Sequence, residues 1–96
     1  MKLLTENGVA LNGDHIASIG AIGTHVNGNE YYCVYGDYSD DRGRVDIACN
    51  LSEYEARELV KHLCISWSGE GNVYVSVPKL LEAYRAKKAE RANAGG

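Results

Sequence analysis

The stretch that decides the fold is RVDIACNLSEYEARELVKHLCISW, from Arg44 to Trp67. In its first part apolar residues alternate with polar ones, because Val45, Ile47 and Cys49 share one parity. Alternation with a period of two is typical of a strand with one buried face. We therefore predict a half-buried strand over 44–49, with these three side chains on its inner face.

The second part of the stretch changes to a helical period. Ser52 and Glu55 have the spacing of a capping box, in which each side chain bonds the other residue's backbone amide. After this cap the apolar residues recur every three or four positions and predict an amphipathic helix that packs on the sheet. They are Ala56, Leu59, Val60, Leu63, Cys64 and Trp67.

Tight turns punctuate the chain before this stretch. The pairs Asn7-Gly8, Asn12-Gly13 and Asn27-Gly28 favour the positive φ angles of short hairpin turns. They predict one hairpin of residues 2–5 with 9–12 and a second of residues 16–26 with 30–35. Apolar parity changes within 16–26, which predicts a β-bulge at Gly20 or Gly23.

After the capped helix, residues 73–77 are rich in β-branched side chains and predict a short strand. Pro78 then starts a second helix from 79 to about 92. Together these elements predict an α+β fold: a bent, mostly antiparallel meander of five to six strands, packed with one amphipathic helix and a C-terminal helix. A small barrel is the alternative. We expect a single domain over 1–92 and a flexible tail at 93–96.

Charge and composition exclude several classes of function. The net charge is −3, with −6 in residues 1–77 and +3 in residues 78–96. An acidic body repels phosphate backbones, so we do not expect direct nucleic-acid binding. The chain has no apolar run near the roughly 20 residues of a membrane helix, so we expect a cytoplasmic protein without membrane contact. Its three cysteines lack paired zinc spacing, and we expect them reduced and mostly buried, with no metal or cofactor.

The candidate site is the stretch from Glu30 to Asp46, which holds four of the seven tyrosines and four of the five aspartates. Rings with polar tips beside carboxylates suit a wet interface. Strand parity separates Tyr31, Cys33 and Tyr35 from Tyr32 and Val34, so one set faces the core, and the sequence leaves open which. A loop over 36–43 connects the two strands. The partner-binding candidates are Tyr31, Tyr35, Asp37, Tyr38, Asp40, Asp41, Arg42 and Arg44.

The chain carries no motif that pairs a nucleophile with a base, so we expect no enzyme and no catalytic residues. We expect a small binding protein whose acidic, tyrosine-rich hairpin contacts a basic protein surface. Inhibitors of the phage counter-defence (anti-CRISPR) kind share this compact, acidic character. The alternative is a homo-oligomer that binds a small molecule such as a nucleotide, with tyrosines stacking on it and Arg42 and Arg44 neutralising its phosphates.

Overall fold

The computed structural model describes residues 1–40, 42–68 and 73–94. Its elements in chain order are β1 (Lys2–Leu4), β2 (Ala10–Asn12), a short 3₁₀ helix (Gly13–His15), β3 (Ile16–Val26), β4 (Asn29–Tyr38), β5 (Arg44–Leu51), α1 (Glu53–Ser68), β6 (Tyr74–Ser76) and α2 (Val77–Ala94). The α+β class is confirmed. Residues 95 and 96 of the predicted tail lie outside the described residues.

The strands form two three-stranded sheets instead of one larger sheet. In the first sheet the order is β2-β1-β6, with β1 antiparallel to β2 and parallel to β6. In the second sheet the order is β3-β4-β5, and all pairs are antiparallel. The parallel partner of β1 is β6, which follows α1 in the chain. The meander prediction therefore holds for β3–β5, which carry the candidate site.

Two of the three Asn-Gly pairs form the predicted hairpin turns. Asn27 and Gly28 both have positive φ, 52° and 80°, as the central residues of a two-residue hairpin between β3 and β4. The first hairpin closes around Asn7-Gly8. The prediction for Asn12-Gly13 is wrong. The Asn12 side chain accepts a hydrogen bond from the amide of Asp14 (3.0 Å) and thereby caps the 3₁₀ helix.

The predicted bulge in β3 lies elsewhere. The register between β3 and β4 shifts between Ile16 and Ser18, and Gly20 and Gly23 both sit in regular pairing. Gly20 is opposite Tyr35, and Gly23 is opposite Tyr32. A Cβ at Gly20 would lie 2.8 Å from the Tyr35 hydroxyl, and one at Gly23 would lie 3.0 Å from the Tyr32 ring. These glycines therefore make room for tyrosine rings that lie across the neighbouring strand.

Helix α1 begins with the predicted capping box. The amide of Glu55 donates to the Ser52 hydroxyl (3.2 Å), and the amide of Ser52 donates to the Glu55 carboxylate (3.0 Å). Ala56, Leu59 and Leu63 are buried as expected. Cys64 is exposed, which corrects the prediction that it belongs to the buried stripe.

Helix α2 begins two residues earlier than predicted, at Val77, and ends at Ala94. Its Arg85 donates to the Glu55 carboxylate (2.7 Å), and its Tyr84 hydroxyl donates to the carbonyl of Glu58 (3.3 Å). These contacts tie α2 to the start of α1.

One core joins both sheets and both helices. Its buried side chains are contributed by β1, β4, β5, α1, β6 and α2. Helix α1 packs on β3, β4 and β5 and covers one face of the second sheet. The core members are Leu3, Val34, Ile47, Ala48, Leu51, Ala56, Leu59, Leu63, Val75, Val77 and Leu81. The other face of β3–β5 points away from α1, and we call it the outer face.

Candidate functional site

The structure resolves which tyrosine set faces the core. Val34 is fully buried and Tyr32 packs against the core, so their side of β4 lies under α1. Tyr31, Cys33 and Tyr35 have the opposite parity and point to the outer face. Strand parity therefore makes Tyr31 and Tyr35 available to a partner, and it assigns Tyr32 to the inner side.

A bulge in β5 changes which of its side chains lie on the outer face. Val34 pairs with Ala48, and Tyr35 pairs with Asp46, so Ile47 is an extra residue in β5. Ile47 and Ala48 are both buried. The extra residue resets the facing of the strand, and Asp46 and Cys49 lie on the same side although they are three positions apart. The prediction that Cys49 faces inward with Val45 and Ile47 is wrong for this reason.

Cys33 and Cys49 form a disulfide between β4 and β5, with their Cα atoms 4.0 Å apart. This corrects the expectation that these two cysteines are reduced and buried, since both are oxidised and half-buried. Asn50, the residue after Cys49, has a φ of 56°. It lies at a second register shift, between the Val34–Ala48 pair and the Tyr32–Leu51 pair. The disulfide thus sits in an irregular part of β5.

Arg44 is held against Tyr35 and Asp37 on the outer face. Its guanidinium carbon lies 3.7 Å from the centre of the Tyr35 ring, and its Nε donates to the Asp37 carboxylate at 3.0 Å. The Ser18 hydroxyl donates to the other carboxylate oxygen at 3.0 Å. The hydrogen bond from Arg44 is the main reason why the pKa of Asp37 is lowered, and Ser18 adds to it.

Arg42 repeats this arrangement at the turn. It lies 4.4 Å above the Tyr38 ring, and its Nε donates to Asp40 at 2.8 Å. The Arg42 backbone amide also donates to Asp40 (2.9 Å), and these bonds lower the pKa of that carboxyl. Three candidate residues, Tyr38, Asp40 and Arg42, are thereby brought together at this turn.

The connection between the strands is shorter than predicted. Strand β4 continues through Gly36 to Tyr38, and β5 starts at Arg44, so the loop covers only 39–43. The amide of Tyr38 donates to the carbonyl of Gly43 (2.9 Å) and closes it. Asp41, one of the predicted contacts, lies outside the described residues. The described part of the loop is a compact turn in which the Asp40 carboxylate is paired with an arginine.

The exposed apolar side chains of the outer face were not among the predicted site residues. Ile22 is 45% exposed, Val26 49% and Tyr31 39%. Ile22 is opposite Cys33, and Thr24, between Ile22 and Val26 on the same side, is opposite Tyr31. Diagonal neighbours on one face of a sheet touch when their side chains are large. These three residues therefore form one apolar strip, which we call the β3–β4 strip.

A shallow pocket of about 170 Å³ lies beside this strip. Thr24, Val26, Tyr31 and Tyr32 line it together with both disulfide cysteines and Asn50. The Tyr32 hydroxyl donates to the Glu30 carboxylate, and this hydrogen bond is the main cause that raises the pKa of Tyr32 to about 12. Tyr32 is thus a neutral hydrogen-bond donor at physiological pH.

Comparisons with protein-family models, with curated proteins and with solved structures find no match to this chain. No helix in the described parts of the chain is long and apolar enough to cross a membrane. The site must therefore be interpreted from its own geometry.

The apolar strip could have been predicted from the sequence. A two-residue turn at Asn27-Gly28 fixes the pairing of Val26 with Asn29, and hence of Thr24 with Tyr31. Counting back along both strands places Ile22, Val26 and Tyr31 on one face. The register shift near Ala17 changes which residues of β3 face inward, and for this reason simple alternation did not identify the strip.

Proposed function

We propose that the protein is a non-enzymatic binding protein that contacts a partner protein through the outer face of β3–β5. The β3–β4 strip is the observation that carries this proposal. Half of the large apolar side chains that are exposed in the described residues belong to it. Of the others, Val9 lies in the turn between β1 and β2, Ile65 on α1 and Tyr74 on β6. Contiguous exposed apolar surface is typical of interaction sites, whereas scattered residues are not.

The chemistry around the strip supports a protein partner. Interfaces combine an apolar centre with aromatic and arginine side chains and a polar rim. Here Tyr31 lies within the strip, and the Tyr35–Arg44 stack lies farther along the same face. The ion pairs of Asp37 and Asp40 lie toward the turn and supply polar rim groups. Because these groups are already ordered, contact with a partner costs less side-chain entropy.

The acidic character favours a basic partner surface, as expected of an inhibitor of the phage counter-defence kind. Residues 1–77 carry a net charge of −6. Within the turn, however, Arg42 and Arg44 pair with Asp40 and Asp37. The long-range field of the body therefore attracts the partner, and the β3–β4 strip supplies the contact area.

The small-molecule alternative uses the same residues differently. To bind phosphates, Arg42 and Arg44 would have to leave their aspartates. The rings of Tyr38 and Tyr35, which would stack on the ligand, are already covered by these two arginines. The feature that favours a homo-oligomer is the edge position of β3, because β4 is its only partner among the described strands. Light scattering measures this directly and should precede any search for a partner.

The test is affinity capture from cells of the source organism with two double variants. Ile22→Ser with Tyr31→Ser removes two members of the β3–β4 strip. Val9→Ser with Tyr74→Ser removes similar exposed apolar groups elsewhere, since these are 51% and 64% exposed. We expect the wild type and the second variant to retain the same protein and the first variant to lose it. Equal retention by both variants would contradict the proposal, provided that both melt like the wild type.

A further inference from the structure

Three ligand atoms of the kinds that bind Zn²⁺ converge on the outer face. The sulfurs of Cys33 and Cys49 and a carboxylate oxygen of Asp46 all lie within 4.8 Å of one another. The Cys33 sulfur is 3.6 Å from Asp46 Oδ1. The bulge at Ile47 creates this arrangement, because it turns Asp46 to the side of the two cysteines.

The spacing suits a tetrahedral ion. With zinc–sulfur bonds of about 2.3 Å and a zinc–oxygen bond of about 2.1 Å, tetrahedral angles place sulfur about 3.6 Å from oxygen and the two sulfurs about 3.8 Å apart. The distance between Cys33 and Asp46 already has the first value. Reaching the second requires only that the disulfide bond open and the sulfurs separate by rotation of their side chains.

We propose that Cys33, Cys49 and Asp46 form a redox-gated site for a thiophilic divalent cation such as Zn²⁺. A dithiol reductant supplies two electrons and two protons, the Cys33–Cys49 bond breaks, and the reductant becomes a disulfide. The ion then displaces both thiol protons to solvent and is bound by two thiolates and one carboxylate. The oxidised form cannot bind the ion, because its sulfurs are bonded to each other.

Electrostatics favours the cation once the disulfide is open. Two thiolates beside a carboxylate repel one another unless a positive ion lies between them. Arg44 is on the same face and also interacts electrostatically with Asp46, but its Nε donates to Asp37, which is its salt-bridge partner. Thiolate ligands select zinc or cadmium over magnesium and calcium, which prefer oxygen. Asp46 is exposed, so water can supply the fourth ligand, as in zinc sites that keep a water ligand.

The experiment titrates cadmium into protein that was reduced with a phosphine, which contributes no competing thiol. The readout is the ultraviolet charge-transfer absorption of cadmium thiolate. We expect one ion per chain in the reduced wild type and none in the oxidised protein. Cys33→Ser should abolish the absorption, and Asp46→Asn should weaken binding about tenfold or more. Cys64→Ser is the matched control, because Cys64 lies on α1 outside the cluster, and it should bind like the wild type.

A second readout needs no variant and covers the case in which Cys33→Ser fails to fold. Zinc should protect Cys33 and Cys49 of the reduced wild type from alkylation and leave Cys64 reactive, as peptide mass spectrometry can show. Equal alkylation of all three cysteines with and without zinc would overturn the proposal. Unchanged cadmium affinity in Asp46→Asn would overturn the assignment of that carboxylate as a ligand.

Discussion

The ring of Tyr35 lies across Gly20 on the neighbouring strand, with its hydroxyl oxygen only 2.8 Å from the place where a Cβ at Gly20 would be. Both residues are in regular antiparallel pairing. Arg44 covers the same ring, 3.7 Å from its centre. The absence of a side chain at Gly20 therefore makes room for the Tyr35 ring, which, together with Arg44, we place in the proposed interface.

Gly20→Ala should consequently move the Tyr35 ring and destabilise the protein by roughly 1 to 3 kcal/mol, as expected when a methyl group is forced into an occupied space. Urea unfolding measures this change. In a Tyr35→Ala background the same substitution should be neutral or slightly stabilising, because alanine is favoured over glycine in a strand by about 0.5 kcal/mol or more. Equal destabilisation in both backgrounds would show that the two residues do not interact.

Glu55 should make the stability depend on acid pH. Burial raises its pKa, but bonds from the amide and hydroxyl of Ser52 and from Arg85 outweigh this, and the pKa lies below its ordinary value of 4.5. A lowered folded-state pKa means that the ionised form stabilises the protein above pH 4.5, and this contribution is lost as the pH falls through the folded value. Glu55→Gln keeps a capping side chain. We expect its melting temperature to fall less than that of the wild type between neutral pH and pH values below 4.5.

The control for this pH dependence is Glu53→Gln in the same first turn of α1. Glu53 pairs with Arg57, and both side chains are well exposed, at 65% and 70%. Exposed pairs of this kind contribute little. A Glu53→Gln melting profile that departs from the wild type as much as that of Glu55→Gln would argue against a special role of Glu55.

These outcomes separate what local sequence can predict from what it cannot. The capping box of Ser52 and Glu55 was predictable because both side chains and the backbone amides that they bond lie within four residues. The Asn27-Gly28 turn was predictable for a similar reason. Arg85 was not, because its bond to Glu55 spans thirty positions and exists only after α2 has packed on α1.

The side of the sheet on which Cys49 lies shows most clearly what local sequence patterns cannot predict. Simple alternation puts it on the same side as Ile47, and the structure puts it on the other side. The difference arises because Ile47 and Ala48 are both buried in the core, and the strand must bulge to allow this. No sequence motif near Cys49 predicts the bulge at Ile47. The disulfide, and the cluster with Asp46, follow from packing that involves the whole sheet.

Arg44→Ala should raise the pKa of Asp37 toward its ordinary value of 3.8, because the hydrogen bond from Arg44 is the largest cause of its lowering. Carboxyl carbon shifts followed by NMR during an acid titration report this pKa directly. Arg57→Ala removes an exposed arginine on α1 that pairs with Glu53, and it should leave the pKa of Asp37 unchanged. An Asp37 pKa that is the same in Arg44→Ala and in the wild type would mean that the ion pair does not persist in solution.

The central claim is that the β3–β4 strip contacts a partner protein. Photo-crosslinking tests it most directly, with a benzophenone amino acid placed at Tyr31 on the outer face and, in a second protein, at Tyr74 on the first sheet. The account predicts that irradiation in source cells gives a discrete adduct from position 31 and none from position 74. An adduct from position 74 with none from position 31 would contradict it.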